Sequence, residues 1–263
     1  VVITRSFEEL ARRWIGRGRG VFTIENWGAL NGIQPLSKDN SWSRKHNLHG
    51  SFNFLYSGTL APKHNPNLLV DLAKFVRGRA NVVVVSHGVG VAYLREEKHK
   101  QSLENLVLLP LQPFEDLPRV LATSDVTVAT IEPDAGMFSV PSKVQSYLCA
   151  GRPILLAAPR ENLSANVILR SEAGHVVEPT DSSGFLNAAQ RLLMDTAGRA
   201  RFPANGRRFA TDNYDIGIVA DKFESVFAYA VRQKQSERKH DGYEIRPRLW
   251  RWRLYRKPPG QTS

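Results

Sequence analysis

The sequence predicts an α/β protein: a doubly wound parallel sheet, with a partial βαβ remnant before it and a basic tail after it. Three observations carry this. Short apolar runs alternate with helix-period segments between residues 51 and 194. The apolar runs show no polar alternation, which suits strands covered on both faces. Turn chemistry cuts each run, as at Ser57-Gly58, Ser86-His87-Gly88 and Pro110.

In chain order, a strand is predicted over 52–56 and a helix over 65–76, where Leu68, Leu69, Leu72, Ala73 and Val76 share one face. Residues 82–85 are all valine, a β-branched strand, and a helix follows over 89–99. Residues 106–109 form a strand stopped by Pro110, 115–122 a helix and 126–131 a strand. A helix over 142–150 and a strand over 154–158 come next. The pattern repeats with a helix over 161–170, a strand over 175–177 and a helix over 182–194. Two further helices are predicted over 199–209 and 216–232.

The two ends differ from this middle. Residues 1–4, 7–15 and 21–25 read as strand, helix and strand. A lone βαβ unit leaves sheet edges open and cannot bury both faces. Residues 1–33 are therefore expected to be the remnant of an N-terminal domain; the competing expectation is that they add strands to the main sheet. Residues 34–50 read as a polar connector, 51–215 as the main domain, 216–233 as a C-terminal helix and 234–263 as a basic aromatic tail. In the tail, Tyr243, Trp250, Trp252 and Tyr255 alternate with Arg246, Arg248, Arg251, Arg253 and Arg256. Basic charge with interfacial aromatics suits an anionic membrane surface, and a solvated tail without a role is the plain alternative.

The net charge of +11 is unevenly placed. Residues 1–50 carry 8 basic and 4 acidic side chains, 232–263 carry 10 and 3, and the middle carries 18 of each. A nucleic-acid binder spreads positive charge over its folded face, so nucleic acid is not an expected partner. The single cysteine, Cys149, excludes an internal disulfide framework and Cys-rich metal spacing, and suits a reducing compartment. No apolar run approaches the roughly 18 residues that suggest a membrane span. The expected location is cytoplasmic, peripheral on the inner face of the plasma membrane.

Chemistry gathers at the predicted strand C-termini, where open α/β sheets bind ligands. The sharpest signal is Pro141-Ser142-Lys143. There a loop ends, Ser142 is placed as a helix N-cap, and Gly151 stops the helix just before the next strand. Free N–H groups at that helix start, with Lys143 beside them, make an anion seat. Lys63, just before the helix of 65–76, makes a second. Gly58 lets backbone approach a ligand, Gly88 lies in another glycine-rich turn, and the backbone from Leu109 to Gln112 could read a base edge. Four such turns on one edge, two with lysine, suggest a ligand with phosphates and a base. Cys149 reads as core, and His64 and His87 as loop histidines.

The series Tyr56-Ser57-Gly58-Thr59-Leu60, Lys63-His64-Asn65, Gln112-Pro113-Phe114-Glu115-Asp116-Leu117-Pro118, Ser124-Asp125-Val126 and Val140-Pro141-Ser142-Lys143 through Ala150-Gly151-Arg152-Pro153 resembles the C-terminal half of bacterial GT-B glycosyltransferases. The resemblance is to family 4, in the branch that builds capsule, colanic acid and O-antigen polysaccharides. It covers residues 1–230 in order, with Glu25-Asn26-Trp27 similar to the turn that ends the family's acceptor domain.

The resemblance implies a Rossmann-like C-terminal domain of a GT-B fold. It implies retaining, metal-independent transfer of a sugar from a UDP- or GDP-sugar to a polysaccharide or lipid-linked acceptor, with no cofactor. The implied donor-binding residues are Gly58, Thr59, Lys63, Gly88, Leu109, Gln112, Ser139, Val140, Pro141, Ser142, Lys143 and Ser146. Lys63, Lys143 and the backbone N–H groups of Gly58 and Ser142 would stabilise the departing diphosphate. The catalytic residue stays open, because the acid/base histidine of many relatives lies in the other half, which a separate chain could supply.

Three positions depart from the family pattern. Many members carry glutamates where this sequence has Phe138 and Ser146, and a basic residue where it has Thr59. The glutamate at the second of these positions normally binds the donor ribose, so that task passes to Ser146 or elsewhere. Two alternatives remain: a nucleotide-sugar-binding module without activity of its own, and a sugar-nucleotide epimerase of the same architecture. The epimerase needs ionisable groups converging on the sugar, and no matching His, Asp and Glu set stands in the sequence.

Overall fold

The computed structural model describes residues 1–15, 20–61, 63–135 and 142–240. Six strands form one sheet: β1 (Asn53–Ser57), β2 (Asn81–Val85), β3 (Leu106–Leu109), β4 (Val126–Thr130), β5 (Ile154–Ala157) and β6 (Gly174–Val177). Their order is β3-β2-β1-β4-β5-β6 and every neighbouring pair is parallel. The expected doubly wound, Rossmann-like sheet is the one observed.

The pleat explains why no polar alternation shows in the sequence. Phe54, Tyr56, Val82 and Val84 pack on one face with helices α3 (Pro66–Phe75), α4 (Val89–Lys100) and α8 (Ser182–Met194). Leu55, Val83 and Val85 pack on the other with α5 (Leu117–Ala122), α6 (Ser142–Cys149), α7 (Leu163–Ser171) and α10 (Phe202–Tyr214). Both faces need apolar side chains, so a period of two leaves no mark in hydropathy. Each fully buried Leu, Val or Phe contributes about 1.5–3 kcal/mol. Only the edge strands β3 and β6 are largely half-buried.

Local chemistry sets the element ends. The Asn65 side chain caps α3 by accepting from the Asn67 N–H, and Pro66 occupies the first turn, where its missing N–H costs nothing. Gly151, at φ +58°, ends α6: its N–H donates to the Leu148 carbonyl at 3.0 Å and the Arg152 N–H to the Tyr147 carbonyl at 3.2 Å. That is a Schellman closure. The helix expected over 115–122 begins instead with a 3₁₀ turn, Phe114–Asp116, and turns α-helical at Leu117. Pro118 in the first turn of α5 favours a fresh start there. Likewise Pro203 opens α10, so the helix expected over 199–209 is split into α9 (Thr196–Ala200) and α10.

The expected connector holds an element the sequence reading missed. Asn40 accepts from the Trp42 and Ser43 N–H groups, and Ser43 answers with a reciprocal bond, so α2 (Ser41–Lys45) starts on a capping box. Trp42 and Leu48 enter the core that α5, α6 and α10 share, together with Leu30 and Ile33. Arg207 donates to the carbonyls of Ile33 (2.9 Å) and Cys149 (2.6 Å) and so ties the segment down.

Before it, α1 (Ser6–Ile15) lies between two stretches joined by a parallel bridge, Val2 to Thr23. No described residue before Asn53 joins the six-stranded sheet. The first compact unit runs Val1–Phe223. The second, from Glu224, continues α11 (Ile216–His240) and exposes Phe227 and Val231. Tail residues 241–263 lie outside the described residues. Among the described residues no helix is long and apolar enough to cross a membrane.

Candidate functional site

Strand order reverses between β1 and β4: β1 leads outward to β2, and β4 leads the other way to β5. Ligands bind at such switch points, in the crevice beyond the strand C-termini. Here β1 and β4 pair only at Phe54–Val126 and Leu55–Thr127. At their C-terminal ends lies a cavity of about 230 Å³ lined by Thr59, Ala61, Lys63, His64, Ala129, Thr130, Ile131, Ser142, Lys143 and Val144. Four of the sequence-predicted residues, Thr59, Lys63, Ser142 and Lys143, thus meet in one place.

Lys143 runs back along the β1 end. Its Nζ donates to the Thr59 carbonyl at 3.1 Å and lies 5.2 Å from the Tyr56 ring centre. Burial first, and the charge of Lys63 second, lower its pKa to about 8. A cation held this way gains by meeting an anion. Gly58 sits beneath it at φ +115°, and a Cβ there would come within 2.8 Å of the Lys143 Cε. Gly58 therefore serves by lacking a side chain. Its N–H, expected to face the diphosphate, donates to the Val85 carbonyl at 3.0 Å and is spent on the sheet.

His64 is buried and accepts the Ala61 N–H on Nδ1 at 3.0 Å, so the ring proton sits on Nε2. Desolvation, then Lys143 and Lys63, lower its pKa to about 4, so it is neutral beside the two lysines. Thr130 is 1% exposed, and its buried Oγ1 has no hydrogen-bond partner among the described residues. A buried hydroxyl left unpaired is uncommon, and this one lies in the cavity wall. No sequence signal marks it, because Val126-Thr127-Val128-Ala129-Thr130 reads as core strand.

A second cavity, about 350 Å³, is lined by Ser86, His87, Gly88, Val91, Ala92, Arg95, Leu108, Leu109 and Pro110. Gly88, at φ +108°, approaches Leu60 so closely that a Cβ would stand 2.8 Å from its carbonyl oxygen. The Leu109 carbonyl accepts the Ser86 N–H at 3.0 Å. The side chains of Thr59 and His87, one from each cavity, meet at 2.9 Å.

Two of the predicted side chains, Gln112 and Ser146, stand apart. Gln112 lines neither cavity; its amide accepts from the Trp42 indole at 3.2 Å and donates to the Pro110 carbonyl at 2.8 Å. The Ser146 hydroxyl donates to the Ser142 carbonyl one turn back, at 3.2 Å, and also lines neither. Ser142 is the first residue of α6 rather than the residue before it. Ser139, Val140 and Pro141 lie outside the described residues. Among the described residues no three His, Cys, Asp or Glu side chains cluster as metal ligands. A larger open depression, about 830 Å³, is lined by α4 alone and brings no second element to a ligand.

Comparison with known proteins adds three findings. Residues 51–195 match the family of glycosyl transferases group 1. The chain is 24% identical over 142 residues to WcaI of Escherichia coli (strain K12), a candidate colanic acid biosynthesis glycosyl transferase, covering 52% of this chain and 35% of that protein. It therefore spans about a third of the length of that relative. Among solved structures, HepE of Anabaena in complex with UDP-glucose superimposes with a TM-score of 0.74 at 15% identity, over 87% of this chain and 63% of that one. Sucrose-phosphate synthase of Thermosynechococcus elongatus gives a TM-score of 0.71 at 18% identity, over 88% and 58%. At these identities the structural likeness speaks for the fold.

Proposed function

The chain belongs to the glycosyl transferases group 1 family, and on that premise we propose that it carries the donor half of a glycosyltransferase site. The donor is a nucleotide-diphosphate sugar, UDP- or GDP-linked, and the acceptor a polysaccharide or lipid-linked glycan. One observation carries this: Lys63 and Lys143 converge with the unpartnered Thr130 hydroxyl on a cavity at the switch point. In the proposed pose the diphosphate lies there and the base lies in the second cavity, against Leu109 and Pro110.

The chemistry is electrostatic. As the bond from the sugar to the diphosphate breaks, negative charge grows on the leaving oxygens. Lys63, Lys143 and the first N–H groups of α6 stabilise that charge in a partly desolvated site. This is the task a divalent metal performs elsewhere, which supports metal-independent transfer. Retention of configuration follows from the family resemblance.

Residues 1–33 we read as one unit of an acceptor-side domain. The apolar side of α1 supports this, with Trp14 83% exposed above Val2, Ile3, Phe7 and Leu10. The rest of that domain would come from further sequence or a separate chain. The share of WcaI that is covered also favours a second reading, a nucleotide-sugar-binding module that turns over only with its other half. The tail from 234 onward, basic and aromatic, supports peripheral contact with an anionic inner membrane face.

Calorimetric titration with UDP, GDP and the parent nucleosides tests the donor site. Binding of one diphosphate is expected, and Lys143→Ala should weaken it at least tenfold while nucleoside affinity moves little. Absence of diphosphate binding at millimolar concentration, or equal losses for both ligand types, would sink the proposal. Donor hydrolysis with and without an added acceptor-side domain separates enzyme from binding module.

A further inference from the structure

The two strands at the switch point part in an unusual way. In register, Leu55 of β1 faces Thr127 of β4. Successive residues of a strand turn their N–H and C=O groups to opposite neighbours. Gly58 and Thr127 turn away from each other's strand, to Val85 and Pro153. Ser57 and Val128 therefore turn toward one another, and the next rung of the ladder would run from the Ser57 N–H to the Val128 carbonyl. It does not. The Ser57 N–H donates to the Tyr147 hydroxyl at 3.1 Å, and that hydroxyl faces the carbonyls of Val128 at 3.2 Å and Ser57 at 3.3 Å. Two hydrogen bonds in series stand where the sheet would place one.

Tyr147 lies on α6, four residues after Lys143, so both side chains leave the same helix face. One reaches Ser57 and the other the Thr59 carbonyl. The ring is 1% exposed and its burial keeps the phenol protonated, so it stays a donor at any working pH.

We infer that Tyr147 is a positioning residue for the anion seat: its hydroxyl replaces a rung of the β1–β4 ladder, holds the two strand ends apart, and fixes the start of α6 with Lys143 over the gap. Its role rests on the donor-site proposal, because the seat it shapes is the one assigned to the diphosphate. Without the hydroxyl, Ser57 and Val128 either close directly, narrowing the crevice, or stand unpaired. In both cases Lys143 loses its fixed place relative to Thr130 and Lys63. The phenol touches no ligand, so its effect falls on the diphosphate and spares the base.

Tyr147→Phe in the full chain tests this, with UDP and uridine as probes and Tyr214→Phe, another buried tyrosine, as the control. The expected result is a tenfold or greater loss for UDP, with uridine and the control within threefold of the parent. Retained UDP affinity in a folded Tyr147→Phe protein, or equal losses for UDP and uridine, would overturn the positioning role while leaving the donor site standing. An unmodified protein that binds neither UDP nor GDP overturns the donor site itself. Amide exchange on the unmodified protein gives a readout independent of the variant's folding. The Ser57 amide should exchange more slowly when UDP is bound than when uridine is, and equal protection would overturn the coupling.

Discussion

In the proposed site, Lys143 would trade stability for binding. Its Nζ is partly desolvated, close to a second lysine, and satisfied by a carbonyl and a ring face rather than a carboxylate. A pKa near 8 has a direct consequence. The cation proposed to hold the diphosphate is lost as pH rises through 8, so UDP affinity should fall about tenfold between pH 7 and pH 9. Replacement by methionine should abolish that pH dependence. Lys143→Met should also raise the stability of the unliganded protein by about 1 kcal/mol, because a lysine with a depressed pKa is one whose charge opposes folding. Chemical denaturation and titration across the pH range measure both, and a flat affinity profile for the parent would contradict the role. The cation and the glycine beneath it were legible as a motif. Their contact was not, since Gly58 and Lys143 are separated by most of the central sheet in sequence and the packing of the lysine stem over the glycine appears only in three dimensions.

At the scale of elements, position came from turn and cap chemistry. Asn65 and Pro66 start α3 directly after the Lys63 loop, and Gly151 ends α6 by a left-handed closure. Asn65→Ala removes the acceptor for the Asn67 N–H and should cost about 1 kcal/mol, within the usual range for a cap. The transition temperature should drop by roughly 2–4 °C, as for a domain of this size. No change would mean that the Asn67 N–H finds water instead. The sheet elements were readable because all four central strands are apolar on both faces. Helix α2 was not, because Ile33–Gly50 is polar in composition and its start rests on the Asn40–Ser43 reciprocal bonds. Gln112 fell out of the predicted site for a related reason: the indole of Trp42, on that unforeseen helix, occupies its amide.

For the whole molecule, the response to acid follows from its histidines. Desolvation lowers His64 to about 4, and His46 and His175 are lowered by burial with help from nearby basic side chains. Between pH 6.5 and 4 the unfolded chain binds protons at these positions that the native state refuses. Native stability is therefore full above about 6.5 and declines as pH falls, with His64 alone accounting for up to about 3 kcal/mol. Denaturant midpoints measured at pH 7 and pH 5 should show the loss, and His64→Gln should reduce it. An unchanged midpoint would mean that His64 titrates normally.

The sequence by itself determined the class of the protein. Apolar strands without polar alternation, helices of period 3.6 and the turns between them are local patterns, and a doubly wound parallel sheet is what they permit. It also marked Lys63, Lys143 and the glycines as candidates for an anion seat, because residue type and place at a strand end suffice to propose one. The tertiary structure decided which of these share a cavity. It spent the Gly58 N–H on the sheet, removed Gln112 and Ser146 from the lining, and added Thr130 and the Tyr147 hydroxyl. The physical reason is that hydrogen-bond satisfaction is settled between elements distant in sequence. A strand residue reads as core in either case, and whether its hydroxyl or its ladder partner is left open depends on what packs across from it.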